Sequence, residues 1–171
     1  MFGEDNGMDH AVGNLTNDLI KGIVTKETIL NKYGKVCITE KIEYYFGIAC
    51  QKKDHEAIDD LIYLVFCFEA ESEKLLDIFN NLIVADWHYK HEDIARLLTK
   101  YHSESSILYL KNAATMELEY LSYDGDTTFA LAKKCIKALG VIGSEDSRTT
   151  LIEISKHPNK FIADMAKKQL N

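Results

Sequence analysis

At 171 residues, with 46% hydrophobic and 27% charged side chains, the chain is long enough to bury a sizeable core and too apolar to be read as disordered. One proline and nine glycines leave too little turn chemistry for a many-stranded β-fold, so an all-α fold is expected. The net charge of −7 argues against a phosphate-binding surface, and the longest strongly apolar run, Leu61 to Phe68, is too short to span a membrane.

Residues 1–14 carry Glu4, Asp5 and Asp9 with no lysine or arginine and no apolar run. They read as an acidic N-terminal tail rather than a leader, ahead of a single helical-repeat domain over 15–171. Apolar spacings of three and four then predict helices near 15–24, 27–33, 40–52, 55–68, 72–85, 91–101, 104–121, 127–140, 145–156 and 159–170. Thr25, Thr39, Asp54, Ser144 and Asn159 stand where side-chain oxygens can cap the first turns of these helices. Cys37, Cys50, Cys67 and Cys135 are widely spaced, three of them within apolar stretches, as buried free thiols are; a reducing, cytoplasmic compartment is expected.

Charge is uneven along the chain. Residues 54–77 hold eight acids against the single Lys74, residues 112–132 hold four acids and no base, and from Lys133 onward eight bases face four acids. A middle this acidic suits a basic partner and repels phosphate backbones.

The helices also repeat one another. His102-Ser-Glu-Ser-Ser106 aligns with Gly143-Ser-Glu-Asp-Ser147 at an offset of 41, which places Leu98 on Leu139 and Leu110 on Leu151. Ala132-Lys-Lys134 matches Ala166-Lys-Lys168 at an offset of 34, and Asp60-Leu61 meets Asp93-Ile94 at an offset of 33. The difference between 41 and 34 marks an insertion between about Glu117 and Asp126. Units of this length cannot bury an apolar face alone and must stack on their neighbours.

Ala138-Leu-Gly-Val-Ile-Gly143, Leu151-Ile-Glu-Ile154 and the segment from Phe161 to Leu170 together resemble a HEAT repeat. That resemblance implies antiparallel helical hairpins stacked as a short α-solenoid. In it Ala138 permits close helix approach, and Gly140 and Gly143 accept a left-handed backbone. Phe161-Ile162 departs from the Val-Arg pair found in many such repeats, as a terminal capping unit would. The segments Trp87 to Ala95, Tyr120 to Asp124 and Ala130 to Gly140 resemble small bacterial HEAT-repeat proteins. Some of those are immunity proteins of contact-dependent inhibition and related polymorphic toxin systems.

No catalytic constellation is visible. His88 and His91 lie three apart beside Glu92 and Asp93, but no second pair stands at ligand spacing, so no metal is expected. The glycines form no phosphate-binding or dinucleotide fingerprint, so no cofactor is expected either. The lysines at 133, 134, 137, 167 and 168 recur with the repeat and read as a solvated stripe rather than a nucleic-acid face. Trp87, His88 and Tyr89, with Glu117, Glu119, Tyr120, Tyr123, Asp124 and Asp126 of the insertion, are the candidate partner-binding residues, because aromatics with polar tips set among acids suit an interface. Together with the family resemblance they imply a non-enzymatic, cytoplasmic immunity protein that occludes a cognate toxin. That toxin is expected to be basic, with nucleases the preferred class. A HEAT-like nucleic-acid repair enzyme and a general protein-binding scaffold are the alternatives.

Overall fold

A computed structural model of the chain describes residues 8–118 and 129–170. These residues are helical throughout, with no strand among them: α1 (Met8–Ile20), α2 (Lys26–Tyr33), α3 (Lys35–Lys52), α4 (His55–Phe68), α5 (Glu73–Leu82), α6 (His91–Tyr101), a 3-10 turn (Glu104–Ser106), α7 (Ile107–Ala114), α8 (Ala130–Ile142), α9 (Glu145–Ile154) and α10 (Lys160–Leu170). No described helix is long and apolar enough to cross a membrane.

The caps explain most of the boundaries. Thr25, Asp54 and Ser144 accept hydrogen bonds from the backbone N–H three residues on, at 3.2, 3.0 and 3.2 Å, and Asn159 accepts from Phe161 at 3.0 Å. Thr39 caps nothing; it is buried inside α3, which begins at Lys35 directly after Gly34. Gly34, at φ +74°, serves as the boundary of both α2 and α3, and an L side chain would be strained there. α1 starts inside the stretch read as an acidic tail, because Val12 and Thr16, one helical turn apart, are both buried. It stops at Ile20, short of the expected 24, where Gly22 takes φ +69°. The helix expected over 104–121 ends as α7 at Ala114, where the Thr115 hydroxyl turns back onto the Asn112 carbonyl at 3.2 Å.

By internal contacts the described chain falls into two compact units. The first runs up to Ile78 and includes Trp87–Lys90; the second comprises Phe79–Asp86 and the chain from His91 onward. In the first unit α3 packs on α4, α1 on α4, and α2 on α3, around Phe46, Ile58, Leu61, Val65 and Phe68. In the second, α8 packs on α6, α7, α9 and α10, around Ile94, Leu98, Leu110, Ile136 and Leu139.

Positions that match in sequence also match in local geometry. Glu69, His102 and Gly143 follow α4, α6 and α8, and all three take positive φ, at 52°, 50° and 67°. Ser103 and Ser144 cap the elements that follow, Ser106 and Ser147 are fully buried, and Leu110 and Leu151 face the core. Gly140 departs from its expected role. It lies within α8, and a Cβ there would stand 3.2 Å from the Gln169 Cβ, so its service is close approach of α10 and only Gly143 is left-handed. Among the thiols, Cys135 is buried, whereas Cys37, Cys50 and Cys67 are half-buried; all four are free.

Leu139 is fully buried. Leu139→Ala is expected to cost about 2–5 kcal/mol, as core truncations do. Gly143→Ala should cost about 1–2 kcal/mol through its left-handed backbone alone. Urea unfolding of both variants checks the two figures, and an unchanged midpoint for Leu139→Ala would contradict the packing described.

Candidate functional site

The aromatic turn Trp87–Lys90 belongs to the first unit, where it lies against the N-terminal end of α4. α4 begins at His55 because Asp54 takes the Ala57 N–H, and its first two turns expose Glu56 and leave Asp59 and Asp60 half-buried. The Tyr89 ring stands edge-on to His55, with centroids 5.6 Å apart, and Lys90 Nζ reaches Asp59 Oδ2 at 3.5 Å. Tyr89 is 57% exposed. An exposed aromatic ring therefore stands beside His55 and the Asp59–Lys90 ion pair, and Glu56 is exposed on the same first turn of α4.

Trp87 and His88 do different work. Trp87 is half-buried and meets the His88 ring edge-on at 5.3 Å. His88 presents no surface at all: it is fully buried, and its Nδ1 accepts the Lys90 backbone N–H at 3.1 Å, tying the turn that holds Tyr89 out. In the second unit His91 is equally buried, and its Nε2 donates to the Ala85 carbonyl at 2.6 Å, which closes the chain ahead of α6. Both histidines thus serve the backbone. Among the described residues no three histidine, cysteine, aspartate or glutamate side chains converge as a metal site would require.

Of the remaining sequence-predicted residues, Glu117 is exposed in the second unit, just after α7. Glu119, Tyr120, Tyr123, Asp124 and Asp126 lie outside the described residues. Sequence reasoning missed His55 and Asp59 as members of the Tyr89 patch. The acid run from Asp54 signalled the charge, but nothing in the spacing tied it to a turn some thirty residues away.

Asp60 sits on the far flank of this end of α4, against α1. Its Oδ2 would meet a Cβ at Gly13 at only 3.2 Å, so glycine there gives the carboxylate room. Burial pushes the Asp60 carboxyl above its ordinary pKa, with the Asp59, Glu56 and Asp54 charges adding to the rise and the Thr16 hydroxyl partly opposing it. The lysine stripe behaves as a solvated face in part: Lys133, Lys137, Lys167 and Lys168 are exposed, while Lys134 pairs with Glu92.

Comparison of the chain with models of known protein families, with curated proteins and with solved structures finds no match in any of the three.

Two measurements check the site. Tyr89→Ala should change stability by no more than about 0.5 kcal/mol, as exposed positions do, whereas His88→Ala, which strands a buried N–H, should cost about 1–3 kcal/mol. Because folded Asp60 holds its proton more tightly than the unfolded chain does, its charge costs stability above the folded pKa, and that cost vanishes below the unfolded value of about 4. Asp60→Asn should therefore be more stable than the parent at neutral pH and lose the advantage in acid. Denaturation series across pH would contradict this by showing a gain that persists at low pH.

Proposed function

We propose that the chain is a protein-binding module of HEAT-like helical hairpins that acts as a cytoplasmic immunity protein, neutralising a basic toxin domain by occlusion. Stacking of hairpins is supported by the order of packing in the second unit: α8 touches α6, α9 touches α7 and α10 touches α8, so helices two apart are neighbours, as in stacked pairs. It is further supported by the matching left-handed residues and caps at intervals of 33 and 41.

The observation that carries the binding reading is the exposed Tyr89 ring, set edge-on to His55 beside the Asp59–Lys90 pair, at the end of α4 where Glu56 is exposed. A tyrosine ordered from behind loses little entropy on binding, and the exposed Glu56 at this end of α4, in an acidic stretch of the chain, steers a cationic partner. Toxin nucleases are cationic because they bind phosphate backbones, so an acidic inhibitor covers the groups they need. Glu117 and the acidic tyrosines that follow it in sequence extend the same chemistry.

A repair enzyme acting on nucleic acid would need a basic groove holding an aromatic and an acid together. The exposed lysines of α8 and α10 supply cations, but the net charge of −7 opposes a polyanion. A scaffold for a housekeeping protein would use the same surface and differ in what the partner does when alone.

Affinity capture from the source cells, with the parent and with Tyr89→Ala combined with Asp59→Lys, tests the reading. The parent should retain a basic protein that arrests growth when expressed alone and is harmless when co-expressed with the chain. The double variant, folded by its circular dichroism melt, should bind that protein at least about tenfold more weakly. A partner that remains active in the complex, or one held equally by the double variant, would overturn the proposal.

A further inference from the structure

The first unit contains a pocket of about 420 Å³ bounded by α1, α2, α3 and α4. Its origin lies in the packing. α1 lies on α4 and α2 lies on α3. Of α2 only Ile29 is fully buried, and it does not close the space. Protein interiors rarely leave gaps larger than a water molecule, whereas small-molecule sites run from about 300 to 1,000 Å³.

The lining is divided by chemistry. Ile38, Ile42, Leu64 and Phe68, all buried, form an apolar floor. Nearer solvent the wall carries Lys32 and Lys41 against the single carboxylate of Asp18. The Lys32 ammonium lies 4.9 Å from the Tyr33 ring centroid, and Tyr33 is itself part of the wall. Tyr45 adds a phenol to the wall.

We propose that this pocket binds a small amphipathic anion, a carboxylic acid with a medium-length hydrocarbon body, its chain on the apolar floor and its carboxylate at the Lys32 and Lys41 edge. Two ammonium groups against one carboxylate in the lining favour an anionic head. The floor takes no polar group without leaving it unpaired, which restricts the body to hydrocarbon. This site is separate in its residues from the Tyr89 patch and stands or falls independently of the toxin reading.

Decanoate is the probe, with decylammonium as the cation of the same body and acetate as the head alone. Calorimetry on the full chain should give one decanoate site at micromolar concentration, bound at least about tenfold more tightly than decylammonium, with no heat from acetate. Methyl NMR should confine the shifts to the aliphatic side chains that line the pocket, from Val12 to Leu64. The double substitution Lys32→Glu with Lys41→Glu should reverse the preference toward decylammonium, and Val24→Trp, which fills the pocket from its wall, should abolish binding of both. Equal affinity of the parent for the two charged probes, shifts centred elsewhere, or no saturation by decanoate would overturn the proposal, and these readings on the parent decide it even if a variant fails to fold.

Discussion

Among the described residues the regular elements are amphipathic helices, each of which must hide one face on another, and several do so across connections of a few residues. Lys53, Glu69, His102 and Gly143 meet that demand by taking positive φ directly after α3, α4, α6 and α8. Three of these four are not glycine, so the strain of a left-handed residue, about 1–2 kcal/mol each, is carried by the packing that follows. After each reversal a hydroxyl or carboxylate takes up a free backbone N–H, as Asp54, Ser72, Ser103 and Ser144 do. Reversal and cap together decide which face of the next helix meets the core.

The acids follow from the same constraint. Leucine, isoleucine and phenylalanine occupy the buried positions of α4, α6 and α8, and the carboxylates of residues 54–77 are left at the flanks and ends. Some are spent locally, as Glu69 is on Lys26, and Glu43 of α3 in turn accepts from Ser72 and lies near Lys74. Such half-exposed pairs add little stability, on the order of 0–1 kcal/mol. Asp59 is likewise paired, with Lys90, next to the exposed Tyr89, while Glu56 is exposed on the first turn of α4.

Much of the helical architecture was legible in the residues. α4, α6, α8, α9 and α10 lie within a few residues of their expected bounds, and all but α6 join an apolar period to a side-chain cap or a glycine. The ends that differ lack that conjunction: α3 enters through Gly34 with no side-chain cap, and α7 is stopped by a threonine bonding backward, which apolar spacing does not register. The site was legible as composition and not as geometry. Tyr89 and the buried His88 are neighbours in sequence with opposite exposures, a difference set by the Lys90 N–H bond. His55 joins Tyr89 only through the fold of the first unit.

The account holds that Tyr89 is a contact residue for a basic protein. A photo-crosslinking amino acid placed at 89 in the source cells tests this most directly, with the same probe at Phe161, 69% exposed and stacked on Phe129 in the second unit, as the control for exposure alone. The account predicts one strong adduct from position 89, to a protein of basic isoelectric point, and none of comparable yield from position 161. An adduct from 161 with none from 89, or a cross-linked partner that is acidic, would contradict it.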